Sequence, residues 1–160
     1  MKRKAYVETT VISYLAASPT RGIVVAAHQQ LTRERWQTRD RFELFVSQAV
    51  VDEVSRGDAD VAARRVALLA RIPVLVLGDE VNDFARQLLR SRVVPDKANL
   101  DAVHISVAAV NHVNYLVTWN CTHIANAAIR GKIEETCRGA GLPAPIICTP
   151  EELMEPSDHA

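Results

Sequence analysis

A nearly uninterrupted apolar helix that runs directly into a β-branched strand constrains this chain more than any other stretch. Apolar residues occupy most positions from Val103 to Val113. A helix that is apolar over most of its circumference must lie between other elements. The helical pattern ends at Asn114, and the chain continues into Tyr115–Trp119, a run typical of a buried strand. A buried helix followed by a buried strand predicts a layered α/β interior.

The rest of the chain alternates between short strand-like runs and helical runs. Alternation of this kind implies parallel strand pairing with right-handed crossovers. We therefore predict a three-layer α/β/α sandwich with a parallel sheet of about five strands. The predicted strands are Ala5–Val7, Phe42–Val46, Pro73–Leu77, Tyr115–Trp119 and Ile146–Cys148. The predicted helices are Val11–Ala16, Ile23–Arg39, Gln48–Arg56, Asp60–Arg71, Asp79–Arg92, one beginning at Asp101, and Thr122–Arg138. The predicted N-terminal caps are Thr9 or Thr10, Ser47, Asp79 and Thr122, and Gly139–Gly141 is predicted to end the last helix.

The composition is that of an ordinary globular domain. The chain has 160 residues, and we predict one domain over residues 1–154 with a frayed polar tail at 155–160. Its formal net charge is zero, so any binding to nucleic acid must come from a local patch. No apolar run approaches the roughly 18 residues of a membrane span. The three cysteines lack CxxC spacing and suit reduced thiols, so we expect a cytoplasmic protein.

Four oxygen-bearing side chains mark similar places in this layout. Glu8 ends the first strand, Glu53 lies in the helix after the second, Asp101 begins the buried helix, and Asn120 follows the fourth strand. Ligands bind outside the carboxyl ends of parallel strands, so we expect these residues to converge on one cleft. Clustered carboxylates repel one another unless a cation neutralises them. Mg²⁺ or Mn²⁺ fits such oxygen ligands, and either ion can polarise a phosphoryl group and activate water.

Each of these side chains also has a plain structural explanation. The helix dipole favours acids near helix N-termini whatever their function, and Asn is common in turns. Thr9 and Thr10 could cap a helix or bind a metal-bound water, and His123 could contact phosphate. His104 could orient Asp101 or be a structural core histidine. The run Arg33, Arg35, Trp36, Arg39 and Arg41 could contact RNA or form a solvated helix face, whereas Asp52 should be exposed.

Three sequence segments resemble the motifs of PIN-domain ribonucleases. They are YVETTVISYLAA, VSQAVVDEVSRG and ANLDAVHISVAAVNHVNYLVTWNCTHIANA, in the order and spacing of that family and over nearly the whole chain. The resemblance is to toxins of the VapC type. It implies cleavage of RNA at a divalent-metal site, with Glu8, Glu53 and Asp101 as acidic ligands and Asn120 at the fourth position. It also implies a small antitoxin partner.

Two of these positions differ from the family pattern. The first acid is usually Asp, and Glu8 is one methylene longer, so its side chain must fold back or push the ion outward. The fourth position is often Asp, and Asn120 is neutral. We therefore predict loose metal binding.

Two other functions are alternatives to the ribonuclease. A PIN-like module that binds RNA or protein without cleaving is the main alternative. A phosphoacceptor receiver domain is a weaker one, because it needs paired acids after the first strand and a Lys after the fifth, where this chain has Glu8-Thr9-Thr10 and Cys148–Glu151.

A protein-binding surface is predicted near the N-terminus. The region from Val11 to Ala27 is more apolar than a one-sided surface helix requires, and exposed apolar area commonly marks an interface. An antitoxin is the predicted partner for this surface, and homodimerisation is the competing use.

Overall fold

Five parallel strands form the centre of the computed structural model, which describes residues 1–153. The strand order is β3-β2-β1-β4-β5, so the first strand lies in the middle of the sheet. Tyr6 of β1 pairs with Phe45 on one side and with Leu116 on the other. The tail predicted to be frayed lies outside the described residues. The strands are β1 (Arg3–Val7), β2 (Phe42–Ser47), β3 (Val74–Leu75), β4 (Tyr115–Val117) and β5 (Ile146–Cys148).

Seven α-helices within residues 1–153 flank the sheet and complete a three-layer α/β/α sandwich, as predicted. No helix in this part of the chain has the length and apolar character needed to cross a membrane. Short 3₁₀ turns at Arg39–Arg41 and Asp96–Ala98 precede β2 and α6. The helices are α1 (Thr9–Ala16), α2 (Ile23–Gln37), α3 (Gln48–Val54), α4 (Ala59–Leu68), α5 (Asp79–Arg90), α6 (Asn99–Val110) and α7 (Ala127–Gly139).

Helix α6 is buried on nearly every side, which confirms the prediction made from its apolar sequence. It packs against α5, α3 and β4, and its residues from His104 to Ala109 are all buried. Ser106 donates a hydrogen bond of 2.6 Å to the carbonyl of Val81 on α5, so its hydroxyl does not remain unsatisfied in the core. The position of α6 carries Asp101 and His104 to the edge of the sheet.

The predicted helix starts were less accurate than the predicted strands. Thr122 does not cap a helix, because the amides of Ile124 and Ala125 bond to the carbonyl of Asn120 and hold this segment in a turn. The final helix instead begins at Ala127, where the Asn126 side chain accepts from Ala128 N. The caps predicted at Thr9 or Thr10 and at Asp79 are also wrong, since Glu8 and Gly78 occupy those positions. Gly141, with a φ of 72°, turns the chain after α7 as predicted.

Strand β3 is shorter than its sequence suggested. The apolar run extends from Pro73 to Leu77, but only Val74 and Leu75 pair with β2. Val76 is 77% exposed, so the second half of this run leaves the sheet. The strand lies at the edge of the sheet, where a short strand limits the exposed backbone available for unwanted pairing.

Candidate active site

The carboxyl ends of β1, β2 and β4 lie side by side and bring the predicted acids to one edge of the sheet. Glu8 directly follows β1, and its backbone amide bonds to the carbonyl of Val117 at the end of β4. Helix α3 starts directly after β2 and carries Glu53, while α6 carries Asp101. The crossovers of a parallel sheet therefore place the three acids at the same edge of the sheet.

Glu8 folds back onto the helix that follows it. Its Oε2 accepts hydrogen bonds from the amide of Thr10 at 3.0 Å, from the hydroxyl of Thr10, and from the hydroxyl of Thr118 at 2.7 Å. The residue is only 3% exposed, so these donors replace water around the carboxylate. Of the two predicted positions for the longer side chain, the structure has the folded-back one.

Glu53 is held by two donors that reach it from other elements. Its Oε1 accepts from the Thr9 hydroxyl at 2.8 Å and lies 2.6 Å from His104 Nε2. Burial alone would raise the pKa of the Glu53 carboxyl, but the hydrogen bonds from His104 and Thr9 and the positive charges of His104 and Arg56 hold that pKa below its usual value. Glu53 is therefore ionised near neutral pH.

His104 lies between two carboxylates and a buried phenol. Its Nε2 is 3.9 Å from Glu8 Oε1 in addition to the contact with Glu53, and its Nδ1 is 2.7 Å from the Tyr6 hydroxyl. Burial would lower the pKa of His104, yet the bond to Glu53 and the negative charges of Glu8, Glu53 and Asp101 raise that pKa above its ordinary value. Neither nitrogen bonds to Asp101, so of the two roles considered for His104 the orientation of Asp101 is not the one seen.

Tyr6 extends this network into the core. Its hydroxyl lies 2.8 Å from Ser47 Oγ, and burial raises the pKa of the phenol far above its ordinary value, so the hydroxyl stays protonated. Ser47 precedes α3 as predicted, but its side chain bonds to Tyr6 and makes no capping bond.

Asp101 is held by a second histidine from the turn after β4. His123 Nδ1 lies 2.9 Å from Asp101 Oδ2. Asn120 in turn accepts a hydrogen bond of 3.0 Å from the amide of His123 through its Oδ1, which fixes the turn that presents the ring. Asn120 donates its own amide to Thr118 Oγ1 at 2.9 Å, which connects the turn to Glu8.

Each of the three carboxylates uses one oxygen in these bonds. Within residues 1–153, no hydrogen bond engages Glu8 Oε1, Glu53 Oε2 or Asp101 Oδ1. Unused carboxylate oxygens are the ligands that Mg²⁺ and Mn²⁺ prefer, so the chemistry of these donors suits such an ion. In the same part of the chain, however, no three His, Cys, Asp or Glu side chains are gathered closely enough to hold one metal ion.

Several residues of this network were not predicted from the sequence. Tyr6, Ser47 and Thr118 lie in or at the ends of apolar strands, where such residues usually indicate core packing. Ser47 could have been found by the rule used for Glu8, because it occupies the last position of its strand. The side chains of Asp52 and Gln48 bond to each other on the exposed side of α3, as expected for Asp52.

The basic run lies partly away from this edge. Arg39 and Arg41 immediately precede β2, at the amino end of the sheet and opposite the carboxylates. Arg39 stacks over Trp36, with its guanidinium carbon 4.9 Å from the ring centroid, and also bonds to the Trp36 carbonyl. This part of the run is ordered by local contacts.

The sheet order and the acidic edge define a PIN-type α/β/α domain. Within that class, the chain has the VapC-type fold. VapBC2 from Rickettsia felis, solved bound to a DNA fragment from its promoter, is similar with a TM-score of 0.58, 14% identity, and coverage of 91% of this chain and 98% of that one. VapC20 from Mycobacterium tuberculosis, described as a Sarcin-Ricin loop cleaving toxin, is similar with a TM-score of 0.59, 14% identity, and coverage of 74% and 92%. No protein-family model matches the sequence, and no curated protein matches it.

Proposed function

We propose that this chain is a metal-dependent endoribonuclease that cleaves RNA phosphodiester bonds in the cytoplasm as the toxin of a toxin–antitoxin pair. One observation carries the proposal. Three carboxylates lie at the carboxyl edge of a VapC-type sheet, each held through one oxygen with the other oxygen unbonded. Side chains fixed in this way are prepared to bind a cation and lose little freedom when it binds.

The metal ligands in this proposal are Glu8, Glu53 and Asp101, with Asn120 at the fourth position. Their oxygen chemistry favours Mg²⁺ or Mn²⁺, which keep several water ligands and tolerate a site that is not closed by protein alone. Such an ion, when bound, polarises a phosphoryl oxygen and lowers the pKa of a bound water. Thr10 and Thr118 hold Glu8, whereas His104 and Thr9 hold Glu53.

RNA is the substrate class that the structural likeness supports. VapC20 is described as a toxin that cleaves the Sarcin-Ricin loop, and its fold covers 74% of this chain. At 14% identity the likeness shows the fold alone, so RNA cleavage by this chain is our inference from the fold together with the acidic edge.

The test is RNA cleavage with Mg²⁺ or Mn²⁺ and its loss on adding EDTA. Asp101→Asn should abolish cleavage and leave the fold intact, since Asn can still accept from His123. Asp52→Asn is the matched control, because it makes the same change at an exposed acid on α3. Cleavage by Asp101→Asn at the rate of the parent would show that Asp101 is not a ligand.

A PIN-like module that binds RNA or protein without cleaving is the second candidate. The observation in its favour is that, within residues 1–153, no three potential ligands are gathered around one point. The same experiment separates the two functions. RNA binding that persists in EDTA, with no cleavage at any Mg²⁺ or Mn²⁺ concentration, would establish the non-catalytic module.

A protein partner is part of the proposal. A small contiguous apolar surface lies at the start of α2. It consists of Ile23, Val24 and Val25, which are 87%, 67% and 41% exposed. Val11 and Ile12, by contrast, are buried in the core, so the surface predicted over Val11–Ala27 narrows to the start of α2. We propose that a small antitoxin covers this surface, with a second copy of the chain as the competing occupant.

A further inference from the structure

A buried polar chain leads from the core to one of the proposed metal ligands. Ser47 Oγ, the Tyr6 hydroxyl, the His104 ring and Glu53 Oε1 follow one another at 2.8, 2.7 and 2.6 Å. Ser47 and Tyr6 are fully buried and His104 is 1% exposed, whereas Glu53 reaches the surface. Buried polar groups are costly unless each one is bonded, and every member of this chain is bonded.

The direction of this series of hydrogen bonds shows that it does more than satisfy polar groups in the core. Both ring nitrogens of His104 bond to side chains, and the two partners lie on β1 and α3, so the ring connects the central strand to the ligand-bearing helix. The ring N–H at Nε2 donates to Glu53, and the hydroxyls of Tyr6 and Ser47 can each accept or donate, so every contact in this series can be a hydrogen bond. The series ends at the Glu53 carboxylate, which lies at the site.

The other two carboxylates do not depend on His104 for a hydrogen bond. Glu8 takes its donors from Thr10 and Thr118, and Asp101 takes its contact from His123. Glu53 has Thr9 as its second donor, but Thr9 is partly exposed at the start of α1. The rigid support for Glu53 therefore comes from the buried ring.

We propose that His104 is a positioning residue that holds Glu53 through Oε1 and leaves Oε2 for the cation, with Tyr6 and Ser47 fixing the ring. This inference rests on the proposed metal-dependent function. Outer hydrogen-bond partners of metal ligands orient them, and their loss typically reduces metal affinity about 10- to 100-fold. His104 acts through Glu53 and is not itself assigned as a ligand.

The experiment compares Mn²⁺ affinity by isothermal titration in four variants and the parent. His104→Leu removes both contacts and should weaken binding about 10- to 100-fold. His104→Gln keeps an amide donor near Glu53 and should recover part of that loss. Tyr6→Phe removes only the hydroxyl that fixes the ring, and should weaken binding less than His104→Leu. Tyr115→Phe is the matched control, since its hydroxyl accepts from Arg3 at the amino end of the sheet.

A second readout needs neither metal nor RNA. In the metal-free parent, the ring N–H that faces Glu53 should give a downfield proton resonance protected from exchange with water. The resonance should be absent from His104→Leu and should exchange faster in Tyr6→Phe. A role limited to filling space would leave both the resonance and the Mn²⁺ affinity of Tyr6→Phe at the parent's values.

The outcomes separate this inference from the function on which it rests. A parent that binds no Mn²⁺ and cleaves no RNA overturns the proposed function before any variant is compared. A parent that binds Mn²⁺, with folded His104→Leu and Tyr6→Phe variants that bind it equally well, overturns the positioning role alone. If His104→Leu does not fold, Tyr6→Phe decides between the two results.

Discussion

Glu8 caps the first helix with its own side chain, although that side chain is one methylene longer than Asp. The side chain turns back so that its own carboxylate accepts from the amide of Thr10, a task that a shorter Asp performs well at a helix N-cap. We therefore expect Glu8→Asp to keep the cap and to cleave RNA within about tenfold of the parent's rate, or about 1.4 kcal/mol in barrier. Glu8→Gln keeps the length and loses the charge, and should lose Mn²⁺ binding. Unchanged Mn²⁺ affinity in Glu8→Gln would remove Glu8 from the ligand set.

Asn120 is neutral and accepts from the amide of His123, whose ring contacts Asp101, so a negative charge added at position 120 should strengthen the proposed cation site. An Asp at this position can still accept from the amide of His123, which preserves the turn. We expect Asn120→Asp to tighten Mn²⁺ binding about tenfold, or about 1.4 kcal/mol, as measured by isothermal titration. Asn114→Asp adds the same charge before β4, at the opposite end of that strand, and serves as the control. Equal affinities for the two variants would mean that residue 120 does not face the ion.

The three cysteines differ in reactivity because only one of them is exposed. Burial raises the pKa of the Cys137 thiol to about 11 and that of the Cys148 thiol to about 12, whereas Cys121 is exposed in the turn after β4. Since the thiolate is the reactive form, iodoacetamide at pH 8 should modify Cys121 alone in the folded protein. Mass spectrometry of the digested protein checks this. Cys121→Ser should abolish the fast reaction, and rapid labelling of Cys148 would show that β5 opens readily.

At the scale of elements, the sequence predicted the strands better than their surroundings. The runs around Tyr6, Phe45, Leu116 and Ile147 are apolar and short, and each became a strand of the predicted parallel sheet. Helix starts failed where a side chain competed with the backbone. The turn after Asn120 displaced the last helix to Ala127, because the Asn120 side chain accepts from the amide of His123 and its carbonyl accepts from the amides of Ile124 and Ala125. Such local bonds depend on tertiary position, which a propensity pattern does not contain.

The site was predictable at the level of residue types and not at the level of contacts. Strand ends located Glu8, Glu53 and Asp101, because parallel strands share a carboxyl edge. The hydrogen bonds of Tyr6 and His104 depend on the register of the strands and on how the helices pack against the sheet. The apolar sequence around these two residues does not predict such bonds. Whether Asn120 faces an ion remains a prediction.

An ion pair between Arg130 and Glu152 connects α7 to the chain after β5. Arg130 donates to both carboxylate oxygens of Glu152 at 3.2 and 3.0 Å, and this hydrogen-bonded Arg130 holds the pKa of Glu152 below its usual value of 4.5. Since the folded-state pKa is the lower one, the stabilisation is present above about pH 4.5 and is lost as the pH falls through the folded value. The pair is partly exposed, so Glu152→Gln should cost at most about 1 kcal/mol at pH 7.

Thermal unfolding of Glu152→Gln and the parent at pH 7 and pH 3 measures this effect. The difference between the two proteins should be present at pH 7 and smaller at pH 3. Glu151→Gln changes the neighbouring acid, which makes no ion pair within the described residues, and should match the parent at both values. A difference that grows as the pH falls would contradict the assignment.

Because the whole molecule has a formal net charge of zero, any RNA binding must depend on local surfaces. Phosphate contacts supply much of the affinity of most nucleic-acid-binding proteins, so a neutral chain should bind RNA weakly away from its site. Binding to single-stranded RNA should then depend more on the metal than on ionic strength. Fluorescence anisotropy with Mn²⁺ or EDTA, at low and high salt, distinguishes the two dependences.

The apolar start of α2 is the surface on which the chain's assembly should depend. Ile23, Val24 and Val25 are adjacent and exposed, and covering such a surface removes apolar area from water. We expect the chain purified without a partner to self-associate, and Val24→Asp to shift it to the mass of a single chain in light scattering. Val76→Asp makes the same change at a 77% exposed valine outside α2 and should leave the assembly unchanged. A parent chain that is monomeric, soluble and harmless when expressed alone would argue against both an antitoxin and a second copy as the occupant of this surface.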